Sequence, residues 1–207
     1  MTAQALPCYL TRPRTAPPWP GVLVIHEGNG ISPQLLRVCE RLTAEGYATV
    51  APDLFFRSGG PEAADYGTLI GALQPDELRA DLTEAHTRLR ELGADRIGIT
   101  GFCLGGTITY RAARWGLDLA AAAPFYGGNI ATELGPVACP LLLFFGGTDE
   151  YIPPKAIEKV RATHPDVVLY PEAGHGYMRD GSSSYDPAAA TDAWDRLLTF
   201  FGQHLRA

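Results

Sequence analysis

Residues 96–115 read Arg-Ile-Gly-Ile-Thr-Gly-Phe-Cys-Leu-Gly-Gly-Thr-Ile-Thr-Tyr-Arg-Ala-Ala-Arg-Trp. Arg96–Thr100 is a short apolar run of the kind that forms a buried strand, and Leu104–Trp115 is read as a helix. Between them stands Gly101-Phe102-Cys103-Leu104-Gly105-Gly106, a glycine-flanked nucleophile at a strand-to-helix turn, with Cys where Ser is usual. Such a turn brings backbone segments together, so a Cβ at position 101 or 105 would clash. The middle side chain is forced out at the sheet edge. There the helix N-terminus favours a thiolate and leaves backbone N–H groups free. A competing reading makes Cys103 a small buried hydrophobe in the turn that opens the helix.

Working outward, Gly21–His26 and Tyr47–Ala51 are continuously apolar, as strands buried on both faces should be. Residues 6–11 read as a short strand, followed by a Pro-rich turn through Pro20. Ala120–Tyr126, Leu141–Phe145 and Val167–Tyr170 complete the predicted strands. Ser32–Glu45 places Leu35, Leu36, Cys39 and Leu42 at helical spacing, with Gly46 as the stop. Pro75–Leu92 is the clearest helix, with Leu78, Leu82, Ala85 and Leu89 on one side and Pro75 in its first turn. Helices are also predicted at Pro154–His164 and Pro187–Leu205, the latter with Trp194, Leu197, Leu198 and Phe201 inward. Residues 53–74 show no clean period and carry four glycines, so they are predicted to form an irregular, lid-like excursion.

Strands alternating with helices predict an α/β architecture, a mostly parallel sheet covered on both faces, as one domain over residues 1–207. The functional residues should then lie just beyond the carboxyl ends of the strands. Composition agrees: 207 residues with 46% hydrophobic and 19% charged side chains can bury a core. The net charge of −6, without any Lys/Arg block, disfavours nucleic acid as a partner. No apolar run is long enough to span a membrane. The N-terminal stretch lacks the apolar segment of a secretory signal, and Cys8, Cys39, Cys103 and Cys139 are expected as reduced thiols, so a cytoplasmic location is predicted.

Two further sites pass the strand-end filter. Gly146-Gly147-Thr148-Asp149 follows the next-to-last strand and Gly174-His175-Gly176 follows the last. The order nucleophile, acid, histidine is that of an α/β hydrolase. Asp149 alone could cap the helix near Pro153, and His175 alone could be a surface-loop histidine; their agreement in order and placement favours a triad. His175 is then expected to take the Cys103 proton while Asp149 fixes its tautomer. The Leu104 N–H is expected as one oxyanion donor, and Gly28 or a neighbour as the second. Glu27, in His26-Glu27-Gly28-Asn29-Gly30, puts a carboxylate into the crevice at a strand end. It is either a satisfied structural carboxylate or a group that modulates the thiol. The segment lacks the second His of a zinc-binding H-E-x-x-H helix.

These residues resemble the dienelactone hydrolase family (carboxymethylenebutenolidases) of the α/β-hydrolase superfamily. The similarity runs from about residue 21 onward, through His26-Glu27, Ala51-Pro52-Asp53-Leu54, the Gly101–Gly106 run, Gly146–Asp149 and Gly174-His175-Gly176-Tyr177. The resemblance implies a Cys103–His175–Asp149 triad with Gly28 and Leu104 N–H groups as the oxyanion hole. It also implies that Glu27 pairs with the resting thiol and is displaced when substrate binds. Arg57 and Arg179 match two arginines that hold a substrate carboxylate, a group suited to bidentate guanidinium binding. A competing reading makes each a solvated surface residue. Tyr126, at the end of its strand, either lines the pocket or packs. The chain departs from the family in its length, in its short N-terminal arm and in Gly28-Asn29-Gly30, where a bulkier apolar segment is usual.

The leading expectation is a cysteine-dependent hydrolase of a dienelactone-like lactone or small carboxylic ester, acting through an acyl-enzyme. A broader carboxylesterase or thioesterase is the alternative, and a non-catalytic hydrolase-like binding domain a further one. Glyoxalase-like Cys/Glu proteins usually have His directly after the Cys, where Leu104 stands here. The sequence contains neither a ligand cluster nor a phosphate-binding glycine loop, so no metal or organic cofactor is expected. An anionic substrate approaching an acidic protein has to be drawn locally, by Arg57 and Arg179.

Overall fold

In a computed structural model, residues 5–206 are described. Among them seven strands form one sheet: β1 (Cys8–Thr11), β2 (Trp19–Ile25), β3 (Ala48–Pro52), β4 (Ala94–Phe102), β5 (Ala121–Phe125), β6 (Leu143–Gly146) and β7 (Val167–Tyr170). The spatial order is β1-β3-β2-β4-β5-β6-β7, with β1 antiparallel to β3 and the other pairs parallel. Six helices accompany the sheet: α1 (Pro33–Ala44), α2 (Tyr66–Ala72), α3 (Pro75–Leu92), α4 (Leu104–Trp115), α5 (Pro154–Thr163) and α6 (Pro187–Leu205). This is the α/β-hydrolase architecture.

The strand order fixes where chemistry belongs. After β2 the chain passes to β3 on one side and then returns to place β4 on the other. Loops leaving the carboxyl ends of β2 and β4 therefore diverge, and a crevice opens between them. Those two loops carry Glu27-Gly28 and Cys103. Helices cover both faces of the central strands, and every residue of β3 and β5 is buried.

The helices follow their sequence signals closely. Ser32 caps α1 by accepting from the Leu35 N–H, with Pro33 in the first turn. Its buried face is Leu35, Val38, Cys39 and Leu42, so Val38 replaces the predicted Leu36. On α3 the predicted Leu78, Leu82, Ala85 and Leu89 are all buried, joined by Asp81 and His86.

The excursion over residues 53–74 corrects the sequence reading. It contains a 3-10 turn at Phe56–Ser58 and the helix α2, capped by Asp65 on the Thr68 N–H. Its start is core rather than lid, with Leu54, Phe55 and Phe56 buried. Only Leu69 of α2 is buried, and Gly67 and Gly71 interrupt it. A seven-residue helix with one inward side chain leaves no period to read. No described helix is long and apolar enough to cross a membrane.

Candidate active site

Cys103 sits at φ 54°, ψ −113°, between the last residue of β4 and the first of α4. A β-carbon disfavours positive φ, and the surroundings hold the turn against that strain. The Cys103 N–H donates to the Phe125 carbonyl at 3.1 Å, and its own carbonyl accepts from Thr107 N–H at 3.2 Å. The flanking glycines are obligatory. A Cβ on Gly101 would lie 2.4 Å from the Gly105 carbonyl oxygen, and one on Gly105 would lie 2.3 Å from that of Ile25. The absence of both lets α4 press its N-terminus against the end of β2.

The loops that carry Asp149 and His175 are joined in the same way. A Cβ on Gly146 would meet the Ala173 carbonyl oxygen at 2.4 Å, and one on Gly147 would meet that of Pro171 at 2.4 Å. Across this close contact the Gly147 N–H donates to Tyr170 and the Thr148 N–H to Ala173. Asp149 is buried, and its Oδ1 accepts from the Tyr151 and Ile152 N–H groups at 2.8 and 3.1 Å. Its Oδ2 is thereby aimed at His175 Nδ1, 2.7 Å away. Asp149 is not the cap of α5, a position taken by Pro153.

The His175 imidazole is wedged edge-to-face between Tyr126 and Tyr151, at ring-centroid distances of 5.1 and 4.9 Å. Burial acts to lower its pKa. Hydrogen bonds with Asp149 and the Cys103 sulfur, and the charges of both, outweigh burial and raise it to about 9. With Nδ1 on Asp149, Nε2 is the nitrogen left for the sulfur.

Glu27 is buried and faces Arg179 rather than the thiol. Arg179 donates through Nε at 2.9 Å and lies at 2.8 Å through Nη2, both to Glu27 Oε2. The Tyr126 hydroxyl donates to Oε1 at 3.4 Å. Burial opposes the charge of Arg179, while Glu27, Tyr126 and Cys103 favour it and hold its pKa above the ordinary value. Tyr126 both packs and lines the site: it is buried and touches Glu27 and His175. Among the described residues, the Gly28 and Leu104 N–H groups have no hydrogen-bond acceptor.

Arg57 stands apart. Its Nη1 and Nη2 donate to Asp81 Oδ2 and Oδ1 at 2.6 and 2.8 Å, and the Asp81 side chain is buried. It has no hydrogen bond or ion pair with Glu27, Cys103 or His175. The structure thus brings together Cys103, Asp149, His175, Glu27, Gly28, Leu104, Tyr126 and Arg179, and directs Arg57 to α3.

Three contributors escaped the sequence reading. Buried His26 accepts from the Leu54 N–H at Nε2 (3.0 Å), so its Nδ1 carries the proton given to the Glu27 carbonyl at 2.6 Å. It ties the Glu27-Gly28 turn to the start of the 53–74 segment. Tyr151 covers the imidazole, and Tyr66 lies against Gly28. Only the adjacency of His26 to Glu27 and of Tyr151 to Asp149 was visible in sequence. A concavity of about 630 Å³ between β7 and α6 contains none of these residues. No described group of three or more His, Cys, Asp or Glu is arranged to hold a metal ion.

The model of the "Dienelactone hydrolase family" matches residues 6–205. The chain belongs to the dienelactone hydrolase family. Two relatives share the name "Putative carboxymethylenebutenolidase". The one from Escherichia coli K12 is 35% identical over 227 residues, covering 96% of this chain and 83% of the relative. The one from Synechocystis is 30% identical over 228 residues, covering 96% and 92%. A crystal structure of a "Putative Dienelactone Hydrolase" from Klebsiella pneumoniae superposes with a TM-score of 0.89 at 33% identity, covering 98% of this chain and 95% of that one. This family member is accordingly a hydrolase of carboxylic esters or lactones.

Proposed function

We propose that the enzyme opens a lactone or small carboxylic ester through a Cys103–His175–Asp149 triad and a thioester intermediate. The observation that carries this reading is the 2.7 Å Asp149–His175 bond beside a cysteine held at positive φ in a strand-to-helix turn. The Cys103 sulfur adds to the carbonyl carbon while His175 carries the proton on Nε2, as its raised pKa favours. The resulting oxyanion takes hydrogen bonds from the Gly28 and Leu104 N–H groups, which nothing else in the described chain occupies. The intermediate collapses as His175 returns the proton to the leaving oxygen, and a thioester remains. Water then adds to the thioester, giving its proton to His175. Collapse of this second intermediate releases the carboxylic acid and the thiolate, and that proton stays on His175. Asp149 keeps the imidazole in one tautomer and favours its cation at each transfer.

Glu27 acts on this cycle by fixing Arg179 and the Tyr126 hydroxyl, and with Tyr126 the ring that packs against His175. A carboxylate-bearing dienelactone would have to draw Arg179 away from Glu27, or Arg57 away from Asp81. Both guanidiniums are engaged, which favours a second reading, a broader esterase or thioesterase for neutral substrates. We place the enzyme in a reducing compartment, the cytoplasm, where the four unpaired cysteines, Cys103 among them, stay reduced.

The test is hydrolysis of a chromogenic acetate ester by the wild type, Cys103→Ala and His175→Ala. Loss of nearly all turnover in both variants is expected. Unchanged turnover in His175→Ala would defeat the triad, and an inactive wild type would favour a binding domain. A carboxylate-bearing dienelactone set against its neutral ester then decides between the two substrate classes.

A further inference from the structure

A hydrogen-bond donor is only as well aimed as the peptide that carries it. The Gly28 N–H shares one trans, planar amide with the Glu27 carbonyl, so whatever holds that oxygen sets the direction of the N–H opposite it. Two groups hold it. The Gly30 N–H donates to the Glu27 carbonyl oxygen at 3.1 Å from across the turn, and His26 Nδ1 donates to it at 2.6 Å. The other donor peptide is anchored in the same manner. The Leu104 N–H belongs to the amide whose carbonyl, that of Cys103, accepts from the Thr107 N–H at 3.2 Å. There the first turn of α4 supplies the anchor. β2 ends in a turn and not in a helix, and its anchor is a side chain.

The His26 ring is built into place on every side. It is fully buried, and Phe55 packs against it at a ring-centroid distance of 4.8 Å. Its backbone lies against α4, where a Cβ on Gly105 would stand 2.7 Å from the His26 carbonyl oxygen. Nε2 accepts from the Leu54 N–H at 3.0 Å, which leaves Nδ1 as the protonated nitrogen. Only a neutral imidazole accepts at one ring nitrogen while donating from the other. An apolar side chain at the end of β2 would fill the same space and leave the Glu27 carbonyl to Gly30 alone.

We propose that His26 is a positioning residue for ester and lactone hydrolysis: through the Glu27 carbonyl it aims the Gly28 N–H at the oxyanion. The proposal rests on the triad and oxyanion-hole reading above. The bond also strengthens the donor, because a carbonyl that accepts a hydrogen bond leaves its amide N–H more polarised. As negative charge gathers on the substrate oxygen, the His26–Glu27 bond and the bond from Gly28 tighten together. The contribution is made in the transition state far more than in the ground state.

Leu and Asn at position 26 differ in little but the donor. The Asn Nδ2 falls where His Nδ1 lies, Leu puts a methyl there, and neither reaches the Leu54 N–H. His26→Leu is expected to lower kcat and kcat/KM for phenyl acetate together by roughly ten- to a hundredfold, short of the loss of a whole donor. His26→Asn should turn over at least about fivefold faster than His26→Leu. Its unpaired buried oxygen should nevertheless make it no more stable than His26→Leu in urea. Activity then runs against stability, which a merely structural role would not produce. A second measurement uses the wild type, so it decides alone if the variants do not fold. Cys103 thiolate adds to a trifluoromethyl ketone: the C–S bond forms, the carbonyl π pair moves to oxygen and the proton stays on His175. In ¹⁵N-histidine-labelled enzyme the His26 Nδ1 proton should then move downfield. A kcat for His26→Leu within about threefold of wild type, or equal kcat in the two variants, overturns the positioning role and leaves the hydrolase intact. An unmoved His26 proton in an adduct that forms does the same. If the wild type neither hydrolyses phenyl acetate nor forms the adduct, the triad reading fails and the positioning role with it.

Discussion

Replacing Arg179 by Gln isolates the pair that holds Glu27. The Glu27 carboxylate is 8% exposed and receives Arg179 on one oxygen, with a longer contact from Tyr126 on the other. Two unit charges roughly 4 Å apart attract by about 4 kcal/mol at an effective dielectric near 20. Arg179 itself is 37% exposed, so water offsets part of that attraction. What dominates the variant is the carboxylate left buried without its cation, a situation that costs about 3–5 kcal/mol in fully buried pairs. With the partner a third exposed, a loss of about 2–3 kcal/mol is expected for Arg179→Gln, read by urea unfolding at pH 7 and 25 °C. The double variant Glu27→Gln/Arg179→Gln removes the buried charge and should recover to within about 1 kcal/mol of wild type. Turnover should fall in Arg179→Gln too, because the pair ties the loop after His175 to the turn after β2. The reasoning fails if Arg179→Gln costs under about 0.5 kcal/mol, a surface-pair value, or if the double variant is no more stable than the single one.

The His175 pKa of about 9, against an ordinary 6.5, makes its contribution to stability complete below pH 6.5 and lost as pH rises through about 9. The same deprotonation removes the proton owed to the leaving oxygen, so kcat/KM should fall on an alkaline limb near pH 9, and a pH–rate profile flat through that region refutes it. His26 has the opposite sign: burial lowers its pKa, so stability should decline as pH falls below 6.5, an effect absent from His26→Gln if that variant folds. Gly105→Ala should cost about 1–3 kcal/mol or more in urea and remove most esterase activity. Its Cβ would sit 2.3 Å from the Ile25 carbonyl oxygen, whereas Gly202→Ala meets nothing within 4 Å and should stabilise α6 by about 0.5–1 kcal/mol. Arg57→Leu strands the buried Asp81 carboxylate and should cost about 2 kcal/mol in urea. Asp81→Asn in the same chain should restore most of that loss.

Strand and helix positions were legible because each is set locally. The boundaries of α3, α4, β7 and α6 coincide with the runs read from sequence. The strand-end placement of Cys103, Asp149 and His175 was legible because a parallel sheet delivers the ends of its strands to one crevice. What escaped was α2, whose glycines and single buried side chain leave no period. The tyrosines flanking the site also escaped, because a ring's neighbours across a turn carry no spacing signal.

The sequence by itself determined the α/β fold, the glycine-framed turn around Cys103 and the placement of Cys103, Asp149 and His175 at successive strand ends. These depend on backbone sterics and strand polarity, which act over a few residues. Only the tertiary structure decided which carboxylate each arginine meets. Arg57 and Arg179 look alike in sequence, yet one is bound to Asp81, 24 residues away, and the other to Glu27, 152 residues away. A guanidinium goes to whichever buried carboxylate the packing leaves within reach. That outcome is a property of the assembled layers and of no segment alone.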